Sequence, residues 1–370
     1  MADFFFYGTL CHVPLLQVVL GRDVPVEPAV LPGHAVHWAD GQTFPLLVEA
    51  LGGGGAAGLL VRGLAPADVA RVDFYEGGFG YGARCLAVTG PGGPAMAQVY
   101  MAGAQTAGAV WDLAAWEARF AAIVCATAVD FMALFGRVAP GVAAARYGEM
   151  LVRGAGRVRA AAEPGPVTQR RFAGPGDVRL ADLRQPYAHF FAVEEYDVAY
   201  RRFDGQHSPV VTRAVFVSGD AVTVLPYDPR RDRVLLVEQF RIGPVARGSL
   251  QPWLIEPIAG RIDPGETPQD CARREALEEA GLHLGALLPV AEFYPSPGAV
   301  SEYLYAFVAL TDLPDGAAGV FGLAGEAEDI RGHLVSFDDL MRLVASGEVA
   351  NAPLILTALW LQRERGRLRG

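Results

Sequence analysis

Residues 260–282 read GRIDPGETPQDCARREALEEAGL, and six of these 23 positions are Asp or Glu. Asp263, Pro264, Gly265 and Glu266 have the chemistry of a tight turn, with Pro preset for its second position and Gly free to take the third. Thr267 is a good N-cap, Pro268 suits the first helical position, and Asp270 completes a capping-box-like arrangement. A helix is therefore predicted from 268 until Gly281 ends it. Ala272, Ala276 and Ala280 give it a small-residue stripe at four-residue spacing, suited to close packing on a sheet. Its other face carries Glu275, Glu278 and Glu279 at i, i+3 and i+4, where like charges oppose a helix. A hard divalent cation held by carboxylate oxygens reverses that sign, and Mg²⁺ binds in this way beside substrate phosphates. The plainer alternative is a solvated acidic face with Arg273 and Arg274 as partners.

The spacing Gly260, Glu266, Arg274, Glu275, Ala276, Glu278, Glu279, Gly281, Leu282 resembles the Nudix box at every fixed position. The one departure is small Ala276, where a bulkier aliphatic residue is common. The resemblance implies an α/β/α Nudix sandwich that hydrolyses a nucleoside diphosphate linked to another moiety. It implies that the Ala259 carbonyl and the carboxylates of Glu275, Glu278 and Glu279 hold two or three Mg²⁺ ions, with Mn²⁺ able to substitute. Arg274 would orient the glutamates.

The flanks narrow the comparison. LLVEQFRIG before the box, WLIEPIAG running into it and YPSPGAVSE after it resemble the ADP-ribose pyrophosphatase branch, and Pro297 lies where that branch places a proline. The likeness runs from Tyr187 to the C-terminus. It implies in-line attack of a metal-activated water on the pyrophosphate of ADP-ribose, giving AMP and ribose 5-phosphate. Arg241 and Arg213 would contact the phosphates and Phe240 would stack on the base. The Gly-rich stretch GLAGEAEDIRGHLVSF at 322–337, also close to that branch's pattern, would supply Glu326 as general base and Glu328 as a metal contact. Homodimerisation is also implied, with residues near 187–215 completing the partner's site. Two alternatives remain: another nucleoside diphosphate sugar or dinucleotide as substrate, or a sensor that binds ADP-ribose without cleaving it. Sensors tend to lose box glutamates, and this box is intact.

Composition sets wider bounds. A chain of 370 residues, 52% hydrophobic and 19% charged, has material for two or three globular units. Net charge is −10 and no basic stripe is visible, which argues against nucleic acid as a partner. Cys11, Cys85, Cys125 and Cys271 form no CxxC pair, so neither a zinc cage nor a disulfide framework is expected, and a reducing cytoplasm fits. The apolar run 121–129 is too short for the roughly 20 residues that a bilayer requires, so no membrane association is expected.

The first hundred residues alternate short apolar runs with Gly and Pro punctuation, the pattern of a β-rich unit. Residues 107–136 are expected as helix, and 154–176, rich in Gly, Pro and Arg, as a linker. FFYGTL at the start and VDFYEGGFGYGARCLAV later resemble the γ-glutamylcyclotransferase family. The resemblance implies a small β-barrel-like α+β fold. Tyr7, Gly8, Thr9 and Leu10 would form its substrate loop and Glu76 the acid/base that lets an α-amine attack its own γ-carbonyl. Without that activity the unit would be a binding or dimerisation module. His12, His34 and His37 show no ligand logic and are expected to be structural.

The expected chain is thus a two-domain protein. A γ-glutamylcyclotransferase-like domain occupies 1–105, a helical extension and linker 106–180, and a Nudix hydrolase domain 181–370. The architecture resembles fused Nudix proteins that carry a tellurite-resistance label, although no residue here has evident tellurium chemistry.

Overall fold

A computed structural model describes residues 1–370 apart from Leu51, Gly53, Ala104, Pro164, Leu323, Ala324, Glu326 and Ala327. The chain divides into two units, Met1–Pro166 and Val167–Gly370.

The first unit is built on a closed barrel. Its strands are β1 (Ala2–Phe6), β2 (Glu27–Leu31), β5 (Ala56–Leu64), β6 (Gly82–Gly90) and β7 (Gly93–Met101), in the spatial order β1-β5-β2-β6-β7. β1 closes the ring by pairing parallel to β7, with Phe4 opposite Gln98 and Phe5 opposite Val99. Successive side chains on a strand point to opposite faces. Phe5 and Tyr7 accordingly join Leu60, Val88 and Val99 in one cluster, while Phe4 and Phe6 pack with Leu15, Trp116 and Phe131 in another. Both faces of β1 are covered, which is why FFFY is apolar throughout.

Two sequence expectations fail in this unit. Residues 107–110 are not helical; they form β8 (Ala107–Val110) on the edge of β3 (His34–Ala39), which also pairs with β4 (Pro45–Glu49). Strand pairing along an open edge overrides the helical spacing there, and the helix starts only after Asp112, whose carboxylate accepts the Ala115 N–H. Nor is 154–162 a linker. It continues a helix, α6 (Tyr147–Ala162), packed on α4 (Ala122–Met132). Gly154 makes this possible, since a Cβ there would sit 2.6 Å from Thr127 Oγ1. A glycine that reads as flexibility is a close-approach residue. The helices from Leu113 to Ala162 thus share the core of the first unit.

The second unit carries a three-stranded sheet, β9 (Val178–Ala188), β10 (Ala192–Tyr200) and β11 (Val211–Val217), and a mixed eight-stranded sheet. The large sheet centres on β12 (Ala221–Asp228), β13 (Arg233–Phe240) and β17 (Leu304–Leu310), with β12 and β17 parallel. Period-two alternation sorts its side chains between two layers. Val222, Val224, Leu235 and Val237 face α8 (Pro268–Ala280), while Leu225, Tyr227, Val234 and Leu236 face α9 (Phe337–Ser346) and α10 (Ala352–Arg369). This is the expected α/β/α sandwich. No helix of the described residues is long and apolar enough to cross a membrane.

Two candidate active sites

In the second unit the acidic helix forms as its caps predict. Asp263 and Glu266 close the turn through a 3.0 Å backbone bond, with Gly265 at φ +85°. The Thr267 hydroxyl accepts the Asp270 N–H at 3.1 Å, and Gly281 ends the helix at φ +61°. Ala272, Ala276 and Ala280 are buried against the sheet.

That packing sets α8 on β15 (Ile258–Arg261) and brings its carboxylates onto the strand backbone. Glu279 is 2% exposed and accepts the Ala259 N–H at 3.1 Å. Glu275 lies so close to Gly260 that a Cβ there would fall 1.8 Å from its Oε1. The first glycine of the motif is therefore the space that the Glu275 carboxylate occupies. Arg274 gathers the cluster, donating to both oxygens of Glu266 at 3.0 and 3.1 Å, to Glu275 at 2.7 Å and to Glu278 at 3.0 Å. Burial pushes Glu279 up to about 8, against the Ala259 hydrogen bond, and Glu275 and Glu328 add repulsion. Burial likewise raises Glu275 to about 7, with Arg274 opposing and Glu278 and Glu328 contributing.

The donor chemistry, carboxylate oxygens beside a strand-edge carbonyl, suits a hard divalent cation. Among the described residues no three acidic, His or Cys side chains are yet gathered around a common cation position. Arg274 instead spans Glu266, Glu275 and Glu278.

The remaining residues separate. Arg241 enters the cluster, since its charge is felt by Glu279 and Glu302, and it is fixed by Glu256 at 2.8 and 2.9 Å. Phe240 is half exposed at the end of β13, its ring edge-on to Trp253 at 5.8 Å. Arg213 is exposed on β11, opposite Tyr196, with its guanidinium on the Thr212 carbonyl. Among the described residues it has no part in the contacts that gather the glutamates. Glu328 is close enough to raise Glu275 and Glu279, whereas Glu326 lies outside the described residues. Sequence reasoning gave no role to Glu256, although it stands in the quoted WLIEPIAG, nor to Glu302, which burial raises and which also faces Asp220.

The first unit holds a cavity of about 240 Å³. Tyr7, Gly8, Thr9 and Leu10, at and after the end of β1, line it, and Glu76 enters from α2 (Pro66–Gly77). Gly8 is needed for packing here, because a Cβ would meet Pro45 Cγ at 2.5 Å. Burial raises Glu76 to about 7. Tyr7, Tyr75, Tyr81, Tyr100 and Tyr147 surround it, each held above the usual phenol range chiefly by burial. Asp73, from the same segment, accepts the Tyr100 hydroxyl at 2.5 Å. Sequence reading singled out only Tyr7 of this tyrosine ring, whose members come from four stretches of the chain, around residues 7, 75–81, 100 and 147. The histidines are structural as expected: His12 meets Glu117, His34 the Pro32 carbonyl and His37 the Gly108 carbonyl.

Comparison with known proteins agrees with both halves. Residues 217–357 match the family described as NUDIX domain, and residues 4–118 the family described as Gamma-glutamyl cyclotransferase, AIG2-like. An ADP-ribose pyrophosphatase of Escherichia coli (strain K12) is 41% identical over 196 residues, 53% of this chain and 93% of its own. A GDP-mannose pyrophosphatase of Salmonella choleraesuis is 35% identical over 150 residues, 40% of this chain and 77% of its own. A solved structure titled "Crystal structure of ADP compounds hydrolase" is similar over 54% of this chain and 100% of its own, with 21% identity and a TM-score of 0.41.

Proposed function

The chain belongs to the Nudix family, and from that membership we propose that its second unit hydrolyses the pyrophosphate of ADP-ribose to AMP and ribose 5-phosphate. The observation that carries this reading is the carboxylate cluster beside the 259–260 backbone, in which Arg274 holds Glu275 and Glu278 and the Ala259 N–H holds Glu279.

The Ala259 carbonyl with Glu275, Glu278, Glu279 and Glu328 would hold two or three Mg²⁺ ions, or Mn²⁺ in their place, which would supply a water of lowered pKa and charge neutralisation at the phosphoryl oxygens. Arg241, braced by Glu256, offers its guanidinium to a phosphate. Arg274 holds Glu275 and Glu278 in place through one guanidinium nitrogen. Phe240 presents an exposed face on which a base can stack. The general base is assigned to Glu326 on sequence position alone. We assign Arg213 to the substrate of a neighbouring subunit in a homodimer. Exposed Leu180, Leu183, Tyr187, Tyr200 and Phe216 on β9–β11 support such pairing.

For the first unit we infer γ-glutamyl cyclotransfer, with Glu76 as the proton acceptor and the Tyr7–Leu10 segment as the substrate loop.

One observation favours a second substrate for the Nudix site, the relative that acts on GDP-mannose. Purified full-length protein with Mg²⁺, given ADP-ribose, GDP-mannose and NADH, separates the two readings. AMP is expected to appear fastest from ADP-ribose, and faster GMP release from GDP-mannose would replace the proposal.

A further inference from the structure

Three lining residues of the first cavity lie beyond residue 118, where the match to the cyclotransferase family ends: Val124 on α4, and Tyr147 and Leu151 on α6. Tyr147 and Leu151 are four apart and so share one helix face. With Phe79 and Trp116 they make an uncharged wall. Tyr147 stacks edge-on to Phe79 at 4.9 Å and to Phe131 at 6.0 Å, which fixes the wall's shape. Among the described residues that line the cavity, Glu76 is the only side chain bearing a formal charge, and none is Arg, Lys or His.

We propose that this cavity selects γ-glutamyl amides whose departing amine is apolar, and that Val124, Tyr147 and Leu151 set that selectivity. The proposal rests on the cyclotransferase reading of Glu76. The substrate's α-ammonium takes the single carboxylate, so a second charge on the departing group would be buried without a partner. An aromatic or branched aliphatic group instead replaces water against the wall.

The reaction balances without a co-reactant. The α-ammonium gives a proton to Glu76, the freed nitrogen lone pair attacks the γ-carbonyl carbon, and a new C–N bond closes the ring. The bond to the departing nitrogen then breaks. The two protons lost by the attacking nitrogen end on the departing amine, relayed by Glu76, and the products are 5-oxoproline and an alkylammonium ion.

The test measures 5-oxoproline release by the full chain from γ-glutamyl phenethylamide, γ-glutamyl isoamylamide and γ-glutamyl-ε-lysine. The apolar amides are expected to show kcat/KM at least about tenfold higher, in line with what a few methylenes are worth in an apolar pocket. Leu151→Asn should shrink this gap mainly through KM, whereas Leu151→Met should keep it. A preference for the lysine amide, or a gap untouched in Leu151→Asn, overturns the inference while leaving the cyclotransferase reading in place. If no amide releases 5-oxoproline, that reading itself fails. Calorimetry with the same three compounds then decides the cavity's preference: tighter binding of the apolar amides sustains the selectivity, and equal or weaker binding ends it.

Discussion

Glu279 and Glu76 show what burial does to a carboxylate. Glu279 is almost fully enclosed, yet it is held by a backbone N–H and lies beside Glu275. Replacing it with its isosteric amide should remove AMP release while leaving the thermal melt of the second unit unchanged or higher. Retained activity in Glu279→Gln would remove this residue from the site. Gly260→Ala tests the same cluster from the backbone side. The new methyl would occupy the Glu275 carboxylate's place. Displacement on the order of 1 Å typically costs about 10²-fold in rate, and a loss of that size in AMP release is expected. For Glu76 the prediction concerns pH. Its folded value of about 7 lies above the ordinary 4.5, so between these values the folded chain keeps a proton that the unfolded chain has lost. Stability therefore falls as pH rises across that window, and the whole penalty is present above it. The uncharged tyrosines around Glu76 and the Asp73–Tyr100 pair do not offset it. Glu76→Gln should melt higher than the parent at pH 8 and coincide with it near pH 4.5. Identical differences at both pH values would contradict the burial of this carboxyl.

At the scale of elements, α8 depends on its ends and on one apolar stripe. Thr267→Ala removes the hydroxyl that accepts the Asp270 N–H and should cost about 1 kcal/mol in denaturant unfolding of the second unit. AMP release per folded molecule should be retained, since the stripe of Ala272, Ala276 and Ala280 still seats the helix. This element was legible because each cue was local: a Pro-Gly turn, a polar cap, a terminal glycine. β8 and α6 were not. Residues 107–110 took strand pairing from β3, which is distant in sequence, and Gly154 supports a helix crossing that only the position of Thr127 explains. Local pattern cannot report a partner that folding brings from elsewhere.

At the scale of the whole molecule, each unit has its own apolar clusters and its own candidate site. We therefore expect the chemistries to be separable within the full chain. Glu76→Gln should leave AMP release unaltered, and Glu279→Gln should leave 5-oxoproline release unaltered. A change in either, measured on the same preparation, would reveal coupling between the two sites. The sequence by itself determined the start and end of α8 through short-range turn and cap chemistry, and it carried the two folds and the box glutamates through the resemblance of short motifs to known families. Only the tertiary structure decided that Gly260 gives its space to Glu275, that Glu256 braces Arg241, and that Glu76 sits within a ring of tyrosines walled by α4 and α6. Those arrangements join residues far apart in the chain, and close packing of strands and helices, not local preference, brings them together.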